Sequence, residues 1–230
     1  MIRKILFSPF LLLIFSVPVY AGQTDWTEKK LGRVILKADK ASRQKKWGRA
    51  IKYGEQMLKG ADALDQHSDP RYINMLKNLN RYYDKEKRLD DVSFRIEDAY
   101  ILSKKHLGLS HETTNMSRHL YYKLVISDKN YAQAILLVLE SISLLKEGKE
   151  DDYRKLHYLK QLYSLYGLTA QLKEEEKTLL QYLQKSQQLL GEDDEDTAKV
   201  IWVLAQNYCL QKKIPEFKKL KKNYKLGYVC

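Results

Sequence analysis

Few residues in this chain could do chemistry. His111-Glu112-Thr113-Thr114-Asn115 opens as a zinc-protease helix does, with a histidine to hold metal and a glutamate to act as base. The second histidine four residues on is missing, and His119 has no third ligand at a usable spacing, so no metal is expected. The acidic run Glu192 to Asp196 has the composition of a calcium loop without its alternating ligands or central glycine. There is no strand-to-helix serine elbow, no glycine loop to cradle a phosphate and no cysteine placed with a histidine. Neither catalysis nor a cofactor is expected.

The elements that hold these residues begin after an amino-terminal segment of a different kind. Arg3 and Lys4 precede an apolar stretch from Ile5 to Val17, and Val19-Tyr20-Ala21 offers a cleavage site. Residues 1–21 are therefore expected to be a secretory signal peptide, and residues 22–230 the working domain, periplasmic or secreted. The stretch is interrupted by Pro9 and is shorter than the roughly 20 apolar residues a span requires. No membrane span is expected once it is removed. The whole chain carries 41 Lys and Arg against 29 Asp and Glu, a formal charge of +12. Export argues against nucleic acid as the partner of that charge and leaves acidic proteins, free carboxylates, anionic glycans and lipid headgroups. Cys209 and Cys230 are the only cysteines. In an oxidising compartment they are expected to pair and tie the tail to the last repeat; a buried reduced Cys209 with a free Cys230 is the other state the sequence allows.

Between these ends the chain repeats. Trp47, Leu89, Tyr131, Leu172 and Ile214 each close a short polar stretch, at spacings of 42, 42, 41 and 42. Six residues before each stand Ala41, Tyr83, Val125, Tyr166 and Tyr208; ten before stand Lys37, Leu79, Tyr121, Leu162 and Leu204. Apart from Lys37 and Ala41 these columns are large and apolar. Within a unit the apolar spacing is helical, as in Ile73, Leu76, Leu79 and Tyr83. The period thus predicts a stack of helix pairs, none able to bury its apolar face alone. Gly60, Gly108, Gly148 and Gly191 are expected just beyond the return helices, and Ser68, Thr113 or Thr114, and Thr197 as caps of the helices that follow. Pro215 suits the first turn of the last helix.

These residues resemble the tetratricopeptide repeat in its long variety, like that of kinesin light chains. The resemblance rests on Leu204-Ala205-x-x-Tyr208 with Gln211 to Ile214, on Leu79-x-x-x-Tyr83 with Lys87-Arg88-Leu89, and on Asn130-Tyr131-Ala132-Gln133-Ala134. Leu107 to Thr114 and Leu190 to Thr197 look like the family's inter-unit linkers. The implied fold is all-α, a right-handed superhelical solenoid of about five antiparallel helix pairs. Small residues expected where paired helices touch are present as Ala50 and Ala134 but replaced by Val92, Glu175 and Phe217. Glu175 marks the fourth unit as out of phase or loosely packed.

The resemblance also implies a function. In this family the first helices line a groove that takes an extended peptide or a partner helix. Carried over position by position, that groove is Asn74, Lys77 and Arg81; Met116, His119 and Lys123; His157, Lys160 and Ser164; and Lys199, Trp202 and Gln206. None of these is acidic. The expected protein is an exported, non-enzymatic adaptor in envelope assembly, secretion or surface-polymer export. Its partner is a protein or peptide segment that is acidic or ends in a carboxylate. A glycan-binding or glycan-processing envelope protein on the same scaffold is the alternative.

Overall fold

A computed structural model describes residues 25–146 and 148–230; the segment read as a signal peptide lies outside the described residues. Ten α-helices follow one another: α1 Glu28–Arg43, α2 Trp47–Ala63, α3 Pro70–Lys85, α4 Ser93–Leu107, α5 Glu112–Ser127, α6 Tyr131–Ser143, α7 Lys149–Leu168, α8 Leu172–Leu189, α9 Glu195–Leu210 and α10 Ile214–Tyr224. Each packs on the next, and α3 also touches α5, so the first helices of the second and third units meet. The described residues form five helix pairs stacked in order.

The period read from the sequence marks one structural event. Trp47, Tyr131, Leu172 and Ile214 are the first residues of α2, α6, α8 and α10; Leu89 opens a 3-10 turn, Leu89–Val92, that runs into α4. Two residues before each landmark the backbone turns left-handed, at Lys45, Lys87, Lys129, Ala170 and Lys212, with φ of 56°, 58°, 56°, 55° and 58°. The amide after it reaches back to the carbonyl of Ala41, Tyr83, Val125, Tyr166 or Tyr208, at 2.8 to 2.9 Å. This is the helix-closing arrangement in which one left-handed residue satisfies the last free carbonyls. The column six residues before each landmark therefore supplies both a packing side chain and the acceptor that ends the helix. Lysine fills four of the five left-handed positions without glycine's freedom there, an arrangement that tertiary packing must hold.

Burial follows the stripes. Leu79 and Leu204 are completely buried, Tyr121 and Leu162 nearly so. In the first unit Lys37 is exposed and Ala38 takes the inward position beside Leu31, Val34 and Ala41. The buried side chains form two clusters that divide within α7: Leu162 and Leu165 join the amino-terminal one, Leu156, Leu159 and Tyr163 the other.

Three local expectations are corrected. The helices α3, α5 and α9 are capped not by Ser68, Thr113 or Thr114, and Thr197, but by Asp69, His111 and Asp194, whose side chains accept from the first free amides. Thr114 and Thr197 are fully buried instead. Gly60 does not follow α2 but lies within it, where a Cβ would come 2.6 Å from the Trp26 ring; its glycine lets Trp26 close the first unit. The fourth unit keeps its phase. Glu175 is buried, Asn207 Nδ2 donates to its carboxylate at 2.9 Å, and Gly167 makes room, since a Cβ there would meet Glu175 Oε1 at 2.8 Å. An acid thus occupies the small-residue position because a glycine and an amide face it.

Candidate functional site

The twelve positions carried over from the sequence stand at i, i+3 and i+7 on α3, α5, α7 and α9, which makes them one stripe per first helix. None enters the core: Lys77, Arg81, Met116 and Lys160 are half-buried and the other eight exposed. Neighbouring stripes are tied together. Thr113 Oγ1 donates to Asn74 Oδ1 at 3.4 Å from α5 to α3, Lys123 on α5 pairs with Asp84 on α3, and Lys160 on α7 pairs with Asp196 on α9 at 2.8 Å. His157 meets Gln161 at 3.2 Å, and the Ser164 hydroxyl returns to the Lys160 carbonyl at 2.8 Å. The four stripes form a continuous face across units two to five.

That face is less uniformly basic than its positions suggest. Asp84, Asp196 and Glu195 bring carboxylates to it, the last paired with Lys199 at 2.6 Å. These acids sit at helix ends, outside the i, i+3, i+7 pattern; Asp84 and Asp196 meet Lys123 and Lys160 only through packing, whereas Glu195 lies four residues before Lys199 on the same helix. Lys160 hydrogen-bonds Asp196 and holds its carboxyl below the usual range, against the opposing effect of burial. Among the described residues, Lys77 and Arg81 make no ion pair. Burial lowers the pKa of Lys77, the Arg81 charge lowers it further, and Glu112 opposes both.

At the junction of units three and four the face opens into a cavity of about 110 Å³, lined by Asn115, Arg118, His119, Tyr122, His157 and Gln161 among others. Burial lowers the pKa of His119, Lys123 and His157 add to the effect, and Asp84 counters it. Among the described residues no group of His, Cys, Asp and Glu is arranged to hold a metal. No helix among them is long and apolar enough to cross a membrane.

Behind the face lies an ionic cluster that the sequence reading missed. Arg118 Nε donates to Glu140 Oε1 at 2.6 Å, and its two terminal nitrogens donate to Asn115 Oδ1 and the Leu109 carbonyl. Glu140 also accepts from the Tyr100 hydroxyl at 2.5 Å and from Lys104 at 2.7 Å. A signal for it existed: Arg118 shares a repeat column with Val34, Leu76, Leu159 and Ile201, all buried. A second cluster joins Arg95 to Glu55 at 2.9 Å and to Asn80 at 2.9 Å, linking α2, α3 and α4.

At the far end Cys209 and Cys230 form a disulfide, with Cα atoms 5.4 Å apart. The tail it holds brings Tyr228 edge-on to Trp202, at 5.7 Å between ring centres, and to Phe217 at 5.9 Å. Tyr224 accepts from Gln187 Nε2 at 3.1 Å and anchors α10 to α8.

Consecutive antiparallel pairs with this turn, period and first-helix face define a tetratricopeptide-like helical-repeat fold. Solved structures agree. Two crystal structures of a kinesin-light-chain-like protein of Podosopora anserina, built from nearly identical TPR-like repeats, are 17% identical over 85% of this chain and 94% of theirs, with TM-scores of 0.59 and 0.60. MamA protein is 15% identical over 89% of this chain and 100% of its own, with a TM-score of 0.50. No protein-family model and no curated protein matches the sequence. The likeness is one of fold.

Proposed function

We propose that this protein is an exported, non-enzymatic scaffold that holds an acidic or carboxylate-ended segment of another protein on its first-helix face, in envelope assembly, secretion or surface-polymer export. The observation that carries this reading is the pair Lys77 and Arg81. Both are half-buried on α3, neither is in an ion pair among the described residues, and burial together with their mutual repulsion disfavours the charge on Lys77. An incoming carboxylate relieves that cost, and charge-assisted hydrogen bonds are about twice as strong as neutral ones. Lys123 and Lys160 already hold Asp84 and Asp196. They shape the face, while Lys77 and Arg81 supply its open donors and Trp202 an apolar anchor.

The test is crosslinked pull-down from intact envelopes with wild type and the Lys77→Glu/Arg81→Glu double variant. One stoichiometric protein retained by wild type and lost by the folded variant supports the reading. Undiminished capture overturns it, and so does retention on purified glycan with release of shortened products, which would mark a glycan-processing enzyme.

A further inference from the structure

We infer that Trp202 is a docking point for an aromatic side chain in an acidic extended segment, and that the chain's own tail occupies this point until the Cys209–Cys230 bond is opened. The inference rests on the first-helix face being the partner surface, and adds to it a chemistry for the fifth unit and a gate.

The repeat register shows what the tail replaces. Lys77, His119, Lys160 and Trp202 share one column. Lys160, on α7, reaches the next first helix at Asp196. No first helix follows α9 among the described residues. Tyr228 stands against Trp202 at 5.7 Å in its place and also covers Phe217. The tail thus stands beside Trp202, as an extended segment, where the next unit's Asp196 stands beside Lys160.

Its hold is slight apart from the covalent bond. Residues 226–230 form no regular structure. Among the described residues no main-chain hydrogen bond joins the backbone beyond Leu226 to the rest of the main chain. Leu226 and Tyr228 are half-buried, and Val229 is 73% exposed. Once the tie is cut, the two aromatic contacts of Tyr228 and the partly buried Leu226 remain to resist a competitor.

Charge selects the competitor. Lys218, Lys219, Lys221, Lys222 and Lys225 lie on or just after α10, with Glu216 the one acid there. The tail from Lys225 to Cys230 has no acidic side chain. A segment that presents the same ring and adds carboxylates gains attractions the tail lacks. The gate opens by exchange with a dithiol: one of its thiolates attacks a sulfur of the disulfide and its second thiolate releases the mixed disulfide. Two electrons pass to the protein, leaving Cys209 and Cys230 as thiols and the reductant as a disulfide.

The experiment uses the full chain and a fluorescein-labelled peptide, Glu-Asp-Gly-Tyr-Asp-Glu, with binding read by anisotropy. Dithiothreitol-reduced wild type and oxidant-free Cys230→Ser protein are expected to bind at least tenfold more tightly than oxidised wild type. Replacing the peptide's tyrosine by alanine, or adding Trp202→Ala to Cys230→Ser, is expected to remove that gain. Equal binding by oxidised and reduced wild type overturns the gate, and a gain that survives Trp202→Ala overturns the docking point. Because oxidised and reduced wild type share one sequence, the comparison does not depend on any variant folding. Weak binding to oxidised protein that disappears in Lys77→Glu/Arg81→Glu reports on the α3 donors separately, so either reading can fail alone.

Discussion

The guanidinium of Arg118 meets the carboxylate of Glu140 at 2.6 Å, in a repeat column that Val34, Leu76, Leu159 and Ile201 fill with hydrocarbon. A buried ion pair contributes little net stability over an apolar pair, but stranding one partner is costly. Glu140→Ala should therefore destabilise the protein by about 2 to 3 kcal/mol, since the carboxylate retains some solvent contact. Arg118→Leu combined with Glu140→Gln should recover most of the loss, because leucine already occupies this column in units two and four. Urea unfolding of the single and double variants measures both, and additive losses would contradict it.

The same carboxylate sets a dependence on pH. Burial raises the Glu140 pKa, but hydrogen bonds from Lys104, Tyr100 and Arg118 outweigh it and hold it below its ordinary value. A carboxyl depressed in the folded state contributes stability that is complete above its unfolded pKa and is lost as pH falls through its folded one. Stability should hold from neutral pH to about 5 and then decline, with unfolded glutamate titrating near 4.3. Glu140→Gln should be less stable at pH 7 and decline less steeply below pH 5; an unchanged slope in urea midpoints would assign acid sensitivity elsewhere.

Of the five left-handed residues that precede the landmarks, Ala170 alone lacks a charged side chain, at φ 55°. A side chain costs roughly 1 kcal/mol in this conformation, and glycine removes that cost while adding freedom to the unfolded chain. Ala170→Gly should raise stability by about 0.5 kcal/mol, and the β-branched Ala170→Val should lower it by at least as much. Thermal melting of the three proteins tests the order.

The disulfide closes a separation of 21 residues around α10. Loop closure of this size is worth about 3 kcal/mol in the chain-entropy account. In a stack each unit leans chiefly on its neighbours, so the loss should stay near the end. Cys230→Ser should accelerate amide exchange in α10 while α2 to α4 keep wild-type protection. Uniform acceleration along the stack would mean that the five pairs unfold as one.

The period, the helix stripes and the turn positions were legible because each depends on residues close together in the chain. A left-handed residue two places before Trp47, Leu89, Tyr131, Leu172 and Ile214 is a local event, and helical spacing alone places Leu79 or Leu204 inward. That three positions of each first helix share one stripe follows from the same local spacing, i, i+3 and i+7. Their ion pairing was not legible, because Asp84 and Asp196 reach Lys123 and Lys160 from other helices. Even the caps moved, from hydroxyls at Ser68 and Thr197 to the nearby carboxylates of Asp69 and Asp194, because the exact helix starts decide which side chain faces the free amides. Packing alone decided that Gly167 and Asn207 would accommodate Glu175, that Glu140 would meet Arg118, and that Tyr228 would cover Trp202. In each case the partner lies on a different element, and its reach is set by how two helices, or a helix and the tail, are held against each other rather than by spacing along one.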